Sequence, residues 1–124
     1  MEYTERRVGD VVIVDLEGKA TIGTRGPTML QIAGDLLDRG ERCILLNMAE
    51  VSYIDSSGLG DLVVSFLKVS KRNGQLKLLS LDDKHRDLLE MTRLIDVIRH
   101  FSDETEAVNS FDTDSALSST GSRS

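Results

Sequence analysis

The 124 residues include one cysteine, one proline and no tryptophan, and aromatic residues make up only 4% of the chain. Each scarcity excludes something. A single thiol, Cys43, forms no intramolecular disulfide and builds no cysteine zinc site. It sits in the apolar run Cys43-Ile44-Leu45-Leu46, so it reads as a buried structural thiol. With so few rings, the core has to come from Leu, Ile and Val, and base stacking on aromatic platforms lacks material. Positive charge is also short. Lys and Arg number 15 against 21 Asp and Glu, a formal net charge of −6, whereas a phosphate-backbone binder needs a concentrated basic face. No apolar run approaches the ~20 residues of a membrane span, and Met1 to Arg7 has no apolar signal-peptide core. The expectation is a cytoplasmic protein with no nucleic-acid and no membrane partner. Its two histidines are far apart and show no ligand spacing, so neither metal nor cofactor is expected.

What is present fits one domain of modest size. Val11-Val12-Ile13-Val14 is a β-branched run between turn residues and reads as a strand. Tyr3 to Val8 is placed to pair with it across Gly9-Asp10. Gly26-Pro27 opens a helix with Pro27 at its first position. In that helix Met29, Ile32, Ala33, Leu36 and Leu37 share one face, and Gly40 closes it. Cys43 to Leu46 is apolar without alternation, as suits a strand covered on both faces. After a loop, Leu59, Leu62, Val63, Phe66 and Leu67 mark the inner face of a second helix, which Asn73-Gly74 ends.

Leu76, Leu78 and Leu79 form a third core strand. Asp82 or Asp83 then caps a helix that turns Leu88, Leu89 and Thr92 inward. Val97, Ile98 and Phe101 make a last short strand. Asp103 with Glu106 resembles a capping box opening a helix with Ala107, Val108 and Phe111 on one face. Strands and helices alternate, which predicts an α/β domain, with a mixed, mostly parallel sheet of four to five strands and about four helices. Residues 1–111 make the domain. From Asp112 to Ser124 the chain is Ser, Thr, Gly and Asp without apolar periodicity and reads as a disordered tail.

The informative stretch is Val51-Ser52-Tyr53-Ile54-Asp55-Ser56-Ser57-Gly58-Leu59-Gly60, between a core strand and an amphipathic helix. Asp55, Ser56 and Ser57 are all suited to the N-cap. Gly58 and Gly60 are costly in a helix, about 1 kcal/mol each relative to Ala, and make sense where another molecule approaches the helix start closely. A hydroxyl here lies where backbone N–H groups are unpaired and the helix dipole is positive, so a phosphate on it is tolerated while the surface gains negative charge.

Tyr53-Ile54 followed by Asp55-Ser56-Ser57-Gly58-Leu59-Gly60 resembles the signature of STAS domains in bacterial anti-sigma-factor antagonists. Leu16-Glu17-Gly18, Asn73-Gly74-Gln75-Leu76-Lys77-Leu78 and Leu88-Leu89-Glu90-Met91-Thr92-Arg93-Leu94 resemble further family segments, so the likeness runs from about Arg7 to Phe111. The resemblance implies a STAS-type fold and a partner switch. The unphosphorylated antagonist binds an anti-sigma factor, a serine protein kinase of the GHKL ATPase type, and so frees a sigma factor. The kinase phosphorylates it and the complex dissociates; a serine phosphatase resets it. The serine after the motif Asp maps onto Ser56, although Ser57 also bears a hydroxyl. Asp55, Ser57, Gly58, Leu59 and Gly60 map onto the partner-binding surface. One segment departs: Lys19-Ala20-Thr21 stands where many members carry an acidic residue and a Leu-Asp pair.

Two other classes are weighed against this reading. A STAS signalling or scaffold module outside sigma-factor control would carry the same motif. A serine hydrolase needs a base and an orienting acid. The only imidazoles, His85 and His100, read as a solvated helix residue and a strand-end residue, and Ser56 lacks a Gly-x-Ser-x-Gly elbow. The chain is expected not to be an enzyme.

Overall fold

The computed structural model describes residues 1–23 and 25–112. The expected tail therefore lies outside the described residues, except Asp112, which falls in a helix.

Five strands form one sheet in the order β1-β2-β3-β4-β5: β1 Glu2–Val8, β2 Val11–Ala20, β3 Cys43–Ile54, β4 Gln75–Leu79 and β5 His100–Phe101. β1 and β2 are antiparallel, joined across Gly9-Asp10 with Val8 facing Val11. The other pairings are parallel. Helices α1 Met29–Asp38, α2 Ser56–Lys71 and α3 Asp83–Met91 connect the parallel strands. A helical turn at Leu94–Asp96 precedes β5, and α4 spans residues 104–112. The sheet is mixed and mostly parallel, as read from the sequence.

The central strands are apolar on successive residues because both of their faces are covered. Val12, Val14, Leu16, Ile44, Leu46, Leu76 and Leu78 meet Ile32 and Leu36 of α1, Leu62 and Val69 of α2 and Leu89 of α3 in one core. Val11, Ile13, Leu45 and Leu79 meet Ala107 and Phe111 of α4 in a second. Lys77 shares that second face. Its Nζ bonds Ser110 Oγ at 2.9 Å and lies 4.5 Å from the centre of the Phe111 ring, so its charge is buried against a π-face and a hydroxyl.

Several boundaries differ from expectation. Pro27 precedes α1 rather than opening it. Thr28 is the N-cap, in a reciprocal capping box with Gln31. At Asp103, by contrast, the carboxylate takes the Thr105 N–H. Gly40, at φ 92°, ends α1 as expected, its N–H reaching Leu37 O while that of Glu41 reaches Leu36 O. Val97 lies outside β5 and is exposed. Thr92 is the exposed C-cap of α3 and bonds back to Leu88 O. Leu67 is 50% exposed, because it lies about 140° round the helix from buried Leu62 at 3.6 residues per turn. His85 is buried, at 4% exposure, where a solvated residue was expected.

The largest extension is in β2 and β3. They run together to Ala20 and Ile54, with irregularities between Asp15 and Glu17 and between Gly18 and Lys19. Val51 to Ile54, read as loop, is strand.

Candidate functional site

β3 passes into α2 through one residue. Ile54 pairs with Ala20. The Asp55 N–H then donates to Ala20 O at 3.1 Å, carrying the strand pairing one step further, and α2 begins at Ser56. Asp55 is extended, at φ −96° and ψ −175°, and is the N-cap. Its Oδ1 accepts the Gly58 N–H at 2.9 Å and its Oδ2 accepts the Ile22 N–H at 3.1 Å. These bonds, that from Gly58 first, hold its carboxyl below the usual carboxylate range.

Gly58 has an internal reason. A Cβ there would stand 2.0 Å from Ala20 O. The body that approaches this helix start closely is the end of β2 in the same chain, so Gly58 is buried. Gly60 is exposed, with open space where a Cβ would be. Ser56 and Ser57 are exposed and Leu59 is half-buried against the core. The motif thus splits: Asp55 and Gly58 build the junction, Leu59 anchors it, and Ser56, Ser57 and Gly60 form its surface.

That surface continues. Ser56, Ser57, Gly60, Val64, Leu67, Lys68 and Lys71 are all exposed on α2, at spacings of three and four residues that make a stripe along the helix. Val64 and Leu67 give it an apolar middle, and Lys68 and Lys71 a basic last turn. At the top of the stripe Ile22 is 81% exposed and Tyr53 57%. Sequence reasoning missed Ile22 and Val64. An apolar residue before Gly23 in a polar loop was the available signal for Ile22; for Val64 it was the helical spacing, which sets it about 200° round the helix from Leu62 and off the inner face.

An exposed serine hydroxyl beside a carboxylate invites the question of a catalytic pair. The carboxylate's two oxygens already accept two backbone N–H groups, and its lowered pKa makes it a weak base. His85 lies buried on α3, with Nδ1 3.3 Å from Asp82 Oδ1, and His100 is on β5. Neither belongs to the elements of this junction. Ser56 is thus an exposed hydroxyl at the first position of α2, and the carboxylate that precedes it is a poor activating base. Among the described residues no group of three or more His, Cys, Asp or Glu side chains is arranged to hold a metal ion. Among them, too, no helix is long and apolar enough to cross a membrane.

A sequence profile of the STAS domain matches residues 3–107. Anti-sigma-B factor antagonists of Staphylococcus aureus are 31% identical over 80 residues, covering 64% of this chain and 73% of the relative. Those of Listeria monocytogenes are 42% identical over 53 residues, covering 43% of this chain and 46% of the relative, so that match spans about half the relative's length. Among solved structures, the Bacillus cell fate determinant SpoIIAA in its phosphorylated form superposes with a TM-score of 0.64 at 20% identity, over 87% of this chain and 97% of the other.

Proposed function

Since the chain belongs to the STAS domain family, we propose that it is an anti-sigma-factor antagonist in a phosphorylation-controlled partner switch. The unphosphorylated form binds an anti-sigma factor that is a GHKL-type serine kinase. Phosphorylation at Ser56 ends the complex, and a serine phosphatase restores it. The observation that carries this reading is the exposed Ser56 at the first position of α2, beside an Asp55 already committed to two backbone N–H groups. A hydroxyl presented in this way needs its base from another protein, as a kinase substrate does. The names of the relatives support the antagonist role.

The switch works by local electrostatics. Phosphate adds nearly two negative charges next to the Asp55 carboxylate, on a surface whose partner accepted a neutral hydroxyl. Like-charge and desolvation penalties at an interface reach several kcal/mol. Partner affinity is expected to fall about 100-fold, or roughly 2.7 kcal/mol, measured by calorimetry on both forms. Kinase and ATP should label the wild type and leave Ser56→Ala unlabelled. Equal labelling of both would move the site to Ser57 or elsewhere, and affinities within about threefold would remove the switch.

A further inference from the structure

Asp55 uses its two oxygens in different directions. Oδ1 serves α2 itself through Gly58. Oδ2 reaches the loop between β2 and α1, taking the N–H of a residue 33 positions earlier. That residue, Ile22, holds a large apolar side chain 81% exposed beside the helix start that carries Ser56. The loop bends at Gly23, φ 76°, and Gly26, φ 79°, so the Asp55 bond is a fixed point just before the first bend.

We propose that Asp55 is a positioning residue that couples the state of Ser56 to the placement of Ile22. The inference rests on Ser56 being the modified residue. A helix N-terminus offers about half a unit of positive charge, and Asp55 already occupies it. A phosphate on the adjacent residue brings a second anion to the same few N–H groups. The helix N–H groups, that of Gly58 among them, then face two anions, whereas Asp55 Oδ2 is the acceptor that holds the Ile22 N–H. The carboxylate is one rigid planar group, so when it yields at Gly58 its Oδ2 is carried away from Ile22 as well, and the loop loses its fixed point while the helix N–H groups keep the phosphate. The partner then loses an ordered apolar side chain in the same event that sets a phosphate against it.

The strongest influences on the Asp55 carboxyl are the backbone N–H groups of Gly58 and Ile22. The ionisable side chains near this end of the packed elements are Lys19 on β2, Tyr53 on β3 and Asp61 on α2, with Arg25 in the loop.

The test needs no partner. Phosphoserine is inserted at position 56 during translation, and amide exchange and pH-dependent shifts of Ile22 and Gly58 are followed by NMR, with Asp55→Asn and Ser56→Ala in parallel. Asn keeps one acceptor oxygen for the helix and turns an amide donor toward the loop. Asp55→Asn should therefore speed Ile22 exchange up to about tenfold while Gly58 stays within about threefold. In wild type the two amides should titrate together. The phosphoserine form should speed Ile22 as Asp55→Asn does and move the joint midpoint upward, and Ser56→Ala should leave both amides as in wild type. Ile22 exchanging at the wild-type rate in the phosphoserine form, or in Asp55→Asn, overturns the coupling. Because no kinase installs the phosphate, this result is separate from whether a kinase labels Ser56, which decides the proposed function.

Discussion

Two strand-to-helix junctions in this molecule start alike and end differently. After β3, Asp55 caps α2 and accepts the Gly58 N–H at 2.9 Å. After β4, Asp82 caps α3 and accepts the His85 N–H at 2.8 Å. Both caps are extended, and both bond the third residue of their helix. The first junction buries a glycine at that third position and leaves two hydroxyls outside. The second buries an imidazole there and leaves Asp83 and Lys84 outside. The spare oxygen of Asp55 holds a separate loop, whereas Asp82 faces its own His85 ring. A capping aspartate is thus common to both and marks no site. What distinguishes the first junction is the chain packed behind it and the small polar groups in front.

The sharpest way to break the comparison is to give the first junction a side chain at its third position, as the second has. Gly58→Ala would put a Cβ 2.0 Å from Ala20 O, so the helix start or the end of β2 has to move. A loss of about 3 kcal/mol is expected, read from the urea midpoint, with partner binding falling as well. Gly60→Ala, in open space, should instead stabilise the helix by up to about 1 kcal/mol. Similar gains at both positions would mean that helix propensity outweighs the contact with Ala20, which then does not explain Gly58.

Next in size is the second cap. Asp82→Ala is expected to cost about 1 kcal/mol in a thermal or urea melt and to leave labelling of Ser56 by the kinase unchanged. Loss of labelling would show that the two junctions are not independent.

The smallest stability effect belongs to the first cap. Asn is as good an N-cap as Asp, so Asp55→Asn should shift stability by only a few tenths of a kcal/mol. Phosphorylation or partner binding should drop about tenfold, worth about 1.4 kcal/mol. A stability loss matching the functional loss would make Asp55 merely structural.

The contrast also marks how far the sequence could be read. The helix faces of α1 and the glycine that ends it were legible, and the cap of α3 was narrowed to Asp82 or Asp83, because each is decided by neighbours three or four residues away. The continuation of β3 to Ile54 was not. In that segment Met48, Val51 and Ile54 are buried, a spacing of three that breaks strand alternation. The strand exists because β2 runs beside it with two irregularities in register, and that is information from the partner strand. His85 was misjudged although its signal was local. It sits among charged residues in sequence, but four residues before Leu89 it shares that residue's buried face.

In the candidate site, the serines and their exposure were legible and the reason for Gly58 was not. Its partner is a carbonyl 38 positions earlier, at the end of a strand whose last residues did not read as strand at all.

One further link joins the ends of the described chain. The Arg6 guanidinium bonds both oxygens of Asp15, at 2.6 and 3.0 Å, and both of Glu104, the shorter at 2.7 Å. Asn47 adds a bond to Asp15 at 2.8 Å. In a chain made at about 5–20 residues per second, the 98 positions from Arg6 to Glu104 separate their synthesis by about 5–20 seconds. A hairpin forms in microseconds, so β1 and β2 can close over Gly9 long before α4 exists. Asp15 lies within that hairpin and supplies Arg6 with a carboxylate from the outset. The nascent chain therefore carries its early elements with their charge already matched, and Glu104 arrives to complete an arrangement that did not have to wait for it.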